Sequence, residues 1–160
     1  MSSGTVEIMP GVPTDEATSA EGADRLGKLG HTYYYKGSLY KLVKNVSTTT
    51  ALTQYAGVAW SDPAIGTATV TATTEAGTGT TGYFAGFAQS AIAAEGFGYI
   101  GTGGVIEAFS AGTAAAGALL YIDGTDGRLD TATVGTHDII GTAIDTGTAD
   151  AAFTIYMRPL

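Results

Sequence analysis

The sequence has no cysteine, few charged residues and no long apolar run. Without cysteine the chain contains neither disulfides nor thiolate metal ligands, and a thiol nucleophile is excluded. Charged residues are 14% of the 160 residues, against about 25% in an average domain. No apolar run approaches the roughly 18 residues of a membrane-spanning helix. The N-terminus lacks the basic start and apolar segment of a signal peptide. We therefore expect a protein that is made in a cytoplasm and does not bind a membrane.

Catalytic side chains are also sparse. His31 and His137 are the only histidines, and neither has a second histidine at metal-ligand spacing. Glu75, Glu95 and Glu107 are candidate acid–base groups, but no sequence feature brings two of them together. The sequence therefore predicts a protein that is not an enzyme and needs neither a metal nor a cofactor.

Two segments match ligand-binding motifs only in their letters. Gly77-x-Gly79-x-x-Gly82 has the spacing of a dinucleotide-binding loop, but that loop requires a helix after it, and an aromatic strand pattern follows here. Asp123, Asp126 and Asp130 lack the alternating acids and closing glutamate of a calcium loop. We interpret these acids as turn residues.

The net charge of −8 is unevenly distributed. Residues 1–24 contain only acids among their charged residues, and residues 45–160 are strongly acidic. Between them lies an acid-free basic block, whose members are Arg25, Lys28, Lys36, Lys41 and Lys44. We expect no binding to nucleic acid, because phosphate binding requires a positively charged surface. The basic block is either a solvated face or a surface for an acidic partner.

Glycine is abundant, with 24 residues, and short alternating runs recur along the chain. Strand patterns separated by glycine-containing turns predict an all-β fold, either a small β-barrel or a sandwich of short strands and hairpins. Residues 118–131 predict a hairpin around two Asp-Gly pairs, and residues 31–45 predict another around Lys36-Gly37-Ser38. We expect a flexible N-terminal arm over residues 1–30 and one β-rich domain over residues 31–160.

Further strands are predicted from alternation. Phe97–Ile100 and Val105–Phe109 read as two short strands separated by glycines. In the run ending at Ala88, Phe84 and Phe87 are expected on opposite faces. Residues 151–158 are expected to place Phe153, Ile155 and Met157 inward, with Thr154, Tyr156 and Arg158 outward.

The second half of the chain resembles the small capsid decoration, or cement, proteins of tailed bacteriophages. The pattern that carries the resemblance consists of Ile92-Ala-Ala-Glu-Gly96, Gly104-Val-Ile-Glu-Ala-Phe109, Ala116-Gly-Ala-Leu-Leu-Tyr-Ile-Asp123, Gly127-Arg-Leu129 and Ile140-Gly-Thr-Ala-Ile144. Upstream, Leu39-Tyr-Lys-Leu-Val-Lys44 and Ala56-Gly-Val-Ala59 are similar to the early strands of that family. The resemblance implies a β-rich body that assembles as a homotrimer on the outer surface of a phage head. There it would bind the major capsid protein and stabilise the expanded shell, after synthesis in the host bacterial cytoplasm.

Two sets of contact residues are predicted on this basis. The N-terminal arm is expected to order on the capsid, and its contact candidates are Val6, Ile8, Met9, Arg25 and Lys28. Amphipathic aromatic and apolar side chains favour subunit interfaces. The candidates for that role are Tyr33, Tyr35, Tyr40, Leu119 and Tyr121.

An alternative function belongs to a different class. Exposed aromatic rings can stack on sugars, and a receptor- or glycan-binding module of a phage tail or bacterial surface would use them. The rings available for such a platform are Tyr33, Tyr34, Tyr40 and Trp60.

Overall fold

The computed structural model describes residues 7–61, 69–72, 84–123 and 127–159. Val6, Glu75, the Gly77–Gly82 loop and Asp126 lie outside the described residues. The elements in the described ranges are β1 (Glu7–Ile8), β2 (Glu16–Ala17), α1 (Ala20–Leu26), β3 (Thr32–Tyr35), β4 (Ser38–Asn45), β5 (Gly57–Trp60), β6 (Thr69–Ala72), β7 (Phe84–Ala88), β8 (Phe97–Phe109), β9 (Leu119–Ile122), β10 (Leu129–Thr131), β11 (Gly141–Ala143) and β12 (Ala152–Met157). The all-β prediction is confirmed, and the architecture is sandwich-like rather than a closed barrel.

Both predicted hairpins are present. In the β3–β4 hairpin Tyr35 lies opposite Ser38, so Lys36 and Gly37 form a two-residue turn. Both turn residues have positive φ angles, 46° and 89°, as a tight hairpin that follows the strand twist requires. In the second hairpin, β9 and β10 pair antiparallel in the stretch that carries the Asp-Gly pairs.

One long strand, β8, replaces the two short strands predicted around the glycines. It runs without interruption for 13 residues. The two-strand prediction was wrong because the glycines bend the strand rather than ending it. A Cβ at Gly101 would lie 2.8 Å from the Ile106 side chain, and Gly104 has a φ of +85°. Consequently β8 pairs with β4 and β7 in its first half and with β12 in its second half.

Strand β7 contains a bulge that changes which side chains share a face. Its register with β5 skips Ala85. Phe84 and Phe87 therefore lie on the same side, with ring centroids 5.1 Å apart. The prediction of opposite faces was wrong because one extra residue inverts the alternation. Gly86 in the bulge has a φ of +145°, and a Cβ there would lie 2.3 Å from the carbonyl oxygen of Gly101.

The strands form two units of the same topology that share β8. The first unit consists of β4 to β8, and the second consists of β8 to β12. Within the first unit the strand order is β6-β5-β7-β8, and within the second it is β10-β9-β11-β12. In each unit the first strand pairs antiparallel with the last. The first strand also pairs parallel with the third strand of its unit, through Asn45 and Val70 in one unit and Ser110 and Leu129 in the other.

The hydrogen bonds of the two units coincide as well. Each unit contains an isolated bridge, Leu52–Ile92 in the first and Ala114–Gly147 in the second. Each bridge residue is followed by a turn that has a positive φ and a closing backbone hydrogen bond; the positive-φ residues are Tyr55, Glu95, Gly117 and Asp150. This agreement in pairing, register and turns shows that the fold is internally duplicated.

Two apolar clusters form the core. The smaller cluster fills the first unit, and its members are Val43, Leu52, Val58, Ala85, Ala88, Ile92 and Ile100. The larger cluster fills the second unit and extends over the outer face of the first. The predicted inward set of β12 is confirmed, because Phe153, Ile155 and Met157 are all buried.

The described part of residues 7–30 packs against the same chain. β1 pairs parallel with β3, and β2 pairs with β8. Met9 and Leu26 are buried in the larger cluster, and the hydroxyl of Tyr99 donates a hydrogen bond to the carbonyl oxygen of Leu26. The sequence predicts an arm that orders on a partner. In the described residues, Met9 and Leu26 of this segment are covered by the chain's own β-body, whereas Val12 and Leu29 stay exposed.

Candidate assembly surfaces

The capsid-contact candidates are placed differently from one another. Arg25 lies in the last turn of α1 and is exposed, as is Lys28 just beyond the helix. Met9 is buried in the core, and Ile8 lies in β1, whose backbone pairs with β3. Val6 is outside the described residues. Arg25 and Lys28 are therefore the candidates whose side chains are exposed among those described, and a capsid contact for this set stays a prediction.

Two of the three tyrosine candidates of the β3–β4 hairpin are buried within the chain. Tyr33 and Tyr40 are 2% and 6% exposed. Tyr33 meets Tyr99 edge to face at 6.0 Å, and its hydroxyl accepts a hydrogen bond from the backbone N–H of Lys28. Burial raises the pKa of Tyr40. Tyr35 is half-buried, which leaves it as the member of this group with most surface for a partner.

The outer side of the second unit carries a row of exposed and half-buried side chains, mostly apolar. The row crosses β8, β12, β11 and β9 through the paired residues Val105, Tyr156, Thr142 and Leu119. Val105 and Tyr156 are 47% and 50% exposed. Glu107 is exposed on the same side of β8. The carboxylate of Asp145 accepts hydrogen bonds from the N–H and hydroxyl of Thr154 at 2.8 and 2.9 Å. We call this row, with Glu107 and Asp145, the open face.

The duplication shows that the open face is exceptional within the molecule. The positions of the first unit that match the row by register are Tyr40, Gly101, Phe87 and Gly57, and all four are buried. Residues of the N-terminal segment and of the second unit lie over them in the larger cluster. In the second unit, Val105 and Tyr156 at the centre of the row stay exposed, although the loop that contains His137 covers Tyr121 beside the row.

Tyr121 lies beside the open face and is covered by a loop. Its ring stacks on His137 with centroids 3.8 Å apart and planes 9° apart. The Nδ1 atom of His137 accepts a hydrogen bond from the Thr133 N–H at 3.0 Å. Burial, followed by the charges of nearby Asp123 and Asp130, raises the pKa of Tyr121. Tyr121 and Leu119 are half-buried, so part of each side chain remains accessible.

A second surface lies on the β3–β4 hairpin. Tyr34, 49% exposed, lies opposite half-buried Leu39, and Thr32 lies opposite Lys41 on the same side. The Nζ atom of Lys41 lies 5.1 Å from the centroid of the Trp60 ring, and burial lowers the pKa of Lys41. Together with exposed Lys36 at the turn, these hairpin residues (Thr32, Tyr34, Lys36, Leu39 and Lys41) are called the hairpin face.

Charge is left unpaired on this hairpin. The ion pair found among the described residues joins Arg128 and Asp150. Neither Lys36 nor Lys41 has a carboxylate partner within those residues. The Nζ atom of Lys36 lies over the Tyr35 ring at 5.2 Å from its centroid. The hairpin face thus combines an apolar pair with two cations.

The rings proposed for a glycan platform do not share one surface. Tyr33 and Tyr40 are buried, Tyr34 points to the opposite side of β3, and Trp60 is half-buried beneath Lys41. Among the described residues, no group of three or more His, Asp or Glu side chains is arranged to hold a metal ion. None of the helices in the described ranges is long and apolar enough to cross a membrane.

Val105 is a surface residue that the sequence analysis did not single out. The alternation of residues 151–158 places Tyr156 outward, and the structure confirms this. Val105 becomes its neighbour only through the β8–β12 register, which no local pattern specifies. The signal for this surface in the sequence was an outward apolar residue in each of the two strand patterns.

The geometry thus defines an all-β, internally duplicated protein with two exposed apolar surfaces. No protein-family model matches the chain, and no curated protein matches it. A solved structure with a similar fold is the head fiber gp8.5 N base of bacteriophage phi29. The two chains share 12% sequence identity with a TM-score of 0.52, and the match covers 74% of this chain and 93% of that chain. At this identity the likeness shows a shared fold.

Proposed function

We propose that this chain is a structural protein of a bacteriophage virion that binds the outer surface of the head. In this role it assembles as a homotrimer on the major capsid protein and stabilises the expanded shell. The observation that carries the proposal is the fold shared with a phage head fiber base. The sequence pattern from Ile92 to Ile144 supports it independently through its resemblance to capsid decoration proteins.

The mechanism is stabilisation by binding. A protein that binds only the expanded shell increases the stability of that shell by its own binding free energy, RT ln(1 + [L]/Kd). At a free concentration of 100 times Kd this is about 2.7 kcal/mol for each site. Three linked copies increase the effective affinity because the second and third contacts become intramolecular. No bond is made or broken in this role.

The contact with the capsid is assigned to the exposed cations near the end of α1. Arg25 and Lys28 are exposed and have no ion pair among the described residues. An acidic capsid surface would pair with them, and such contacts at an interface chiefly increase the association rate and the specificity. Met9, which is buried, acts in this arrangement by holding the segment on the β-body.

The test uses purified full-length protein and capsids of the phage that encodes it. Expanded and unexpanded empty capsids are incubated with the protein and sedimented, and the expanded capsids are expected to retain it selectively. The double variant Arg25→Glu/Lys28→Glu is expected to bind at least tenfold more weakly, and the control Arg25→Lys/Lys28→Arg should bind normally. Equal recovery with and without capsids would contradict the proposed function. Normal binding by the reversed-charge variant would contradict only the assigned contact.

A further inference from the structure

We propose that the open face of one copy binds the hairpin face of a second copy of this chain. This inference deepens the homotrimer part of the proposed function by assigning its contact surfaces, and it does not rest on capsid binding. The two surfaces belong to different parts of the molecule, so the contact is heterologous.

The first argument is the duplication. The row on the outer side of the first unit is buried under the N-terminal segment and the second unit, whereas Val105 and Tyr156 at the centre of the matching row in the second unit are exposed. The chain contains two such units but only one N-terminal segment. Units of a repeat architecture bury their apolar faces against neighbours. A second copy supplies the neighbour that the second unit lacks.

The second argument is complementary chemistry. The centre of the open face is the Val105–Tyr156 pair, with Glu107 and Asp145 exposed beside it. The centre of the hairpin face is the pair Tyr34 and Leu39, with cations at both ends. Apolar centres with charged surroundings of opposite sign are the arrangement that gives an interface both burial and orientation.

Charge also disfavours the symmetric alternative. If two open faces met, Glu107 and Asp145 of one copy would approach the same acids of the other, and the remaining acids of the second unit would add repulsion. Arg158, exposed just beyond the end of β12, is the cation at the edge of this face. Two open faces would therefore bring four acids together with two arginines and keep a negative excess, whereas Lys36 and Lys41 of the hairpin face match the two acids of one open face in number.

The faces are joined within each copy. The hydroxyl of Ser38, next to the hairpin turn, donates a hydrogen bond to the carbonyl oxygen of Val105 at 2.6 Å. Each copy therefore carries both surfaces close to each other, and each contact leaves one face of either type free. Heterologous contacts of this kind form rings when the rotation closes, as a homotrimer requires.

The test measures association of the full chain by sedimentation velocity over a range of concentrations. Tyr156→Asp on the open face and Tyr34→Asp on the hairpin face are each expected to weaken association at least tenfold, since buried tyrosines dominate interface energies. Val134→Asp adds the same charge at a side chain that is 76% exposed and outside both faces, and it should associate like the parent. Tyr156→Thr is a second open-face variant, which removes the ring but keeps a residue that favours strands. Unchanged far-ultraviolet circular dichroism confirms that each variant folds.

Mixing the two variants distinguishes heterologous from symmetric contact. Tyr156→Asp retains an intact hairpin face, and Tyr34→Asp retains an intact open face, so an equimolar mixture is expected to form one-to-one dimers and nothing larger. Higher salt should weaken the parent assembly because charges cross the interface. A monomeric parent protein, normal association of Tyr156→Asp, or a mixture that stays monomeric would each overturn the proposal. Association without capsid binding would instead contradict the proposed function alone.

Discussion

Three glycine-to-alanine substitutions separate the two reasons why the bulge in β7 requires glycine, which are its positive φ and the close approach of a neighbouring backbone. A Cβ at Gly86 would lie 2.3 Å from the carbonyl oxygen of Gly101, and the φ of Gly86 is +145°. Gly37 has an unusual φ of +89° but no atom within 4 Å of a Cβ. Gly141, which occupies the matching position of the second unit, has no positive φ, but its Cβ would lie 2.5 Å from the carbonyl oxygen of Tyr156. The three sites therefore separate backbone strain from steric overlap.

The expected losses follow from these distances. Gly37→Ala should lower the free energy of unfolding by about 1–2 kcal/mol through strain at positive φ. Gly141→Ala should lower it by about 1–3 kcal/mol through overpacking against the backbone. Gly86→Ala combines both effects, for a loss of about 2–5 kcal/mol. For a chain of this size each kcal/mol corresponds to about 2–4 °C in Tm, so Gly86→Ala should lower Tm by roughly 4–20 °C.

Urea titration followed by fluorescence provides the assay, because Trp60 is the single tryptophan and lies against the smaller core cluster. Thermal unfolding followed by circular dichroism provides the independent Tm. If Gly86→Ala is no more destabilising than Gly37→Ala, the close approach of β7 and β8 does not require glycine. The physical account of the bulge would then be wrong.

Three further predictions concern polar groups. Asn45→Ala should lower the free energy of unfolding by about 1–3 kcal/mol, since the buried Nδ2 group of Asn45 donates hydrogen bonds to three backbone carbonyls. A loss in urea titration below about 0.5 kcal/mol, the usual size of surface effects, would refute this role. Burial raises the pKa of Tyr99 above its ordinary value. Its contribution to stability is therefore complete below the unfolded pKa of about 10 and is lost as the pH rises above it. Alkaline titration of Tm should show a flatter decline for Tyr99→Phe, and an identical slope would count against the assignment. Arg128→Gln should change stability by less than about 1 kcal/mol, because the side chains of Arg128 and Asp150 are 32% and 70% exposed and water screens their ion pair. A larger loss in urea titration would contradict this.

Local pattern was sufficient to predict the all-β class and both hairpins. The all-β class follows from alternation and glycine turns, and both hairpins form in the predicted stretches; in the first, Gly37 adopts a positive φ without steric cost. The outward position of Tyr156 also follows from alternation alone. These features depend on neighbours a few residues apart, which the sequence displays directly.

Errors arose where a strand departs from regular alternation. Phe84 and Phe87 share a face because the bulge adds a residue, and β8 continues through glycines that ordinarily end a strand. The burial of Met9 and Leu26 in the larger cluster was likewise not indicated by local pattern. In each case the outcome depends on atoms distant in sequence, such as the carbonyl of Gly101 beneath the bulge.

The duplication was not visible in the sequence because its signal is backbone geometry. Matching turns contain Tyr55, Glu95, Gly117 and Asp150, four different residue types with positive φ. Buried positions tolerate any apolar side chain of suitable volume, so the two units conserve strand pairing rather than residue identity.

By itself, the sequence determined the class of fold, the two hairpins and the uneven distribution of charge. The tertiary structure alone decided which side of the second unit stays open and which cations face outward beside Tyr34. The reason is that strand register brings Val105 to Tyr156 across 51 positions of sequence, and such pairings depend on the packing of the whole chain rather than on any local pattern.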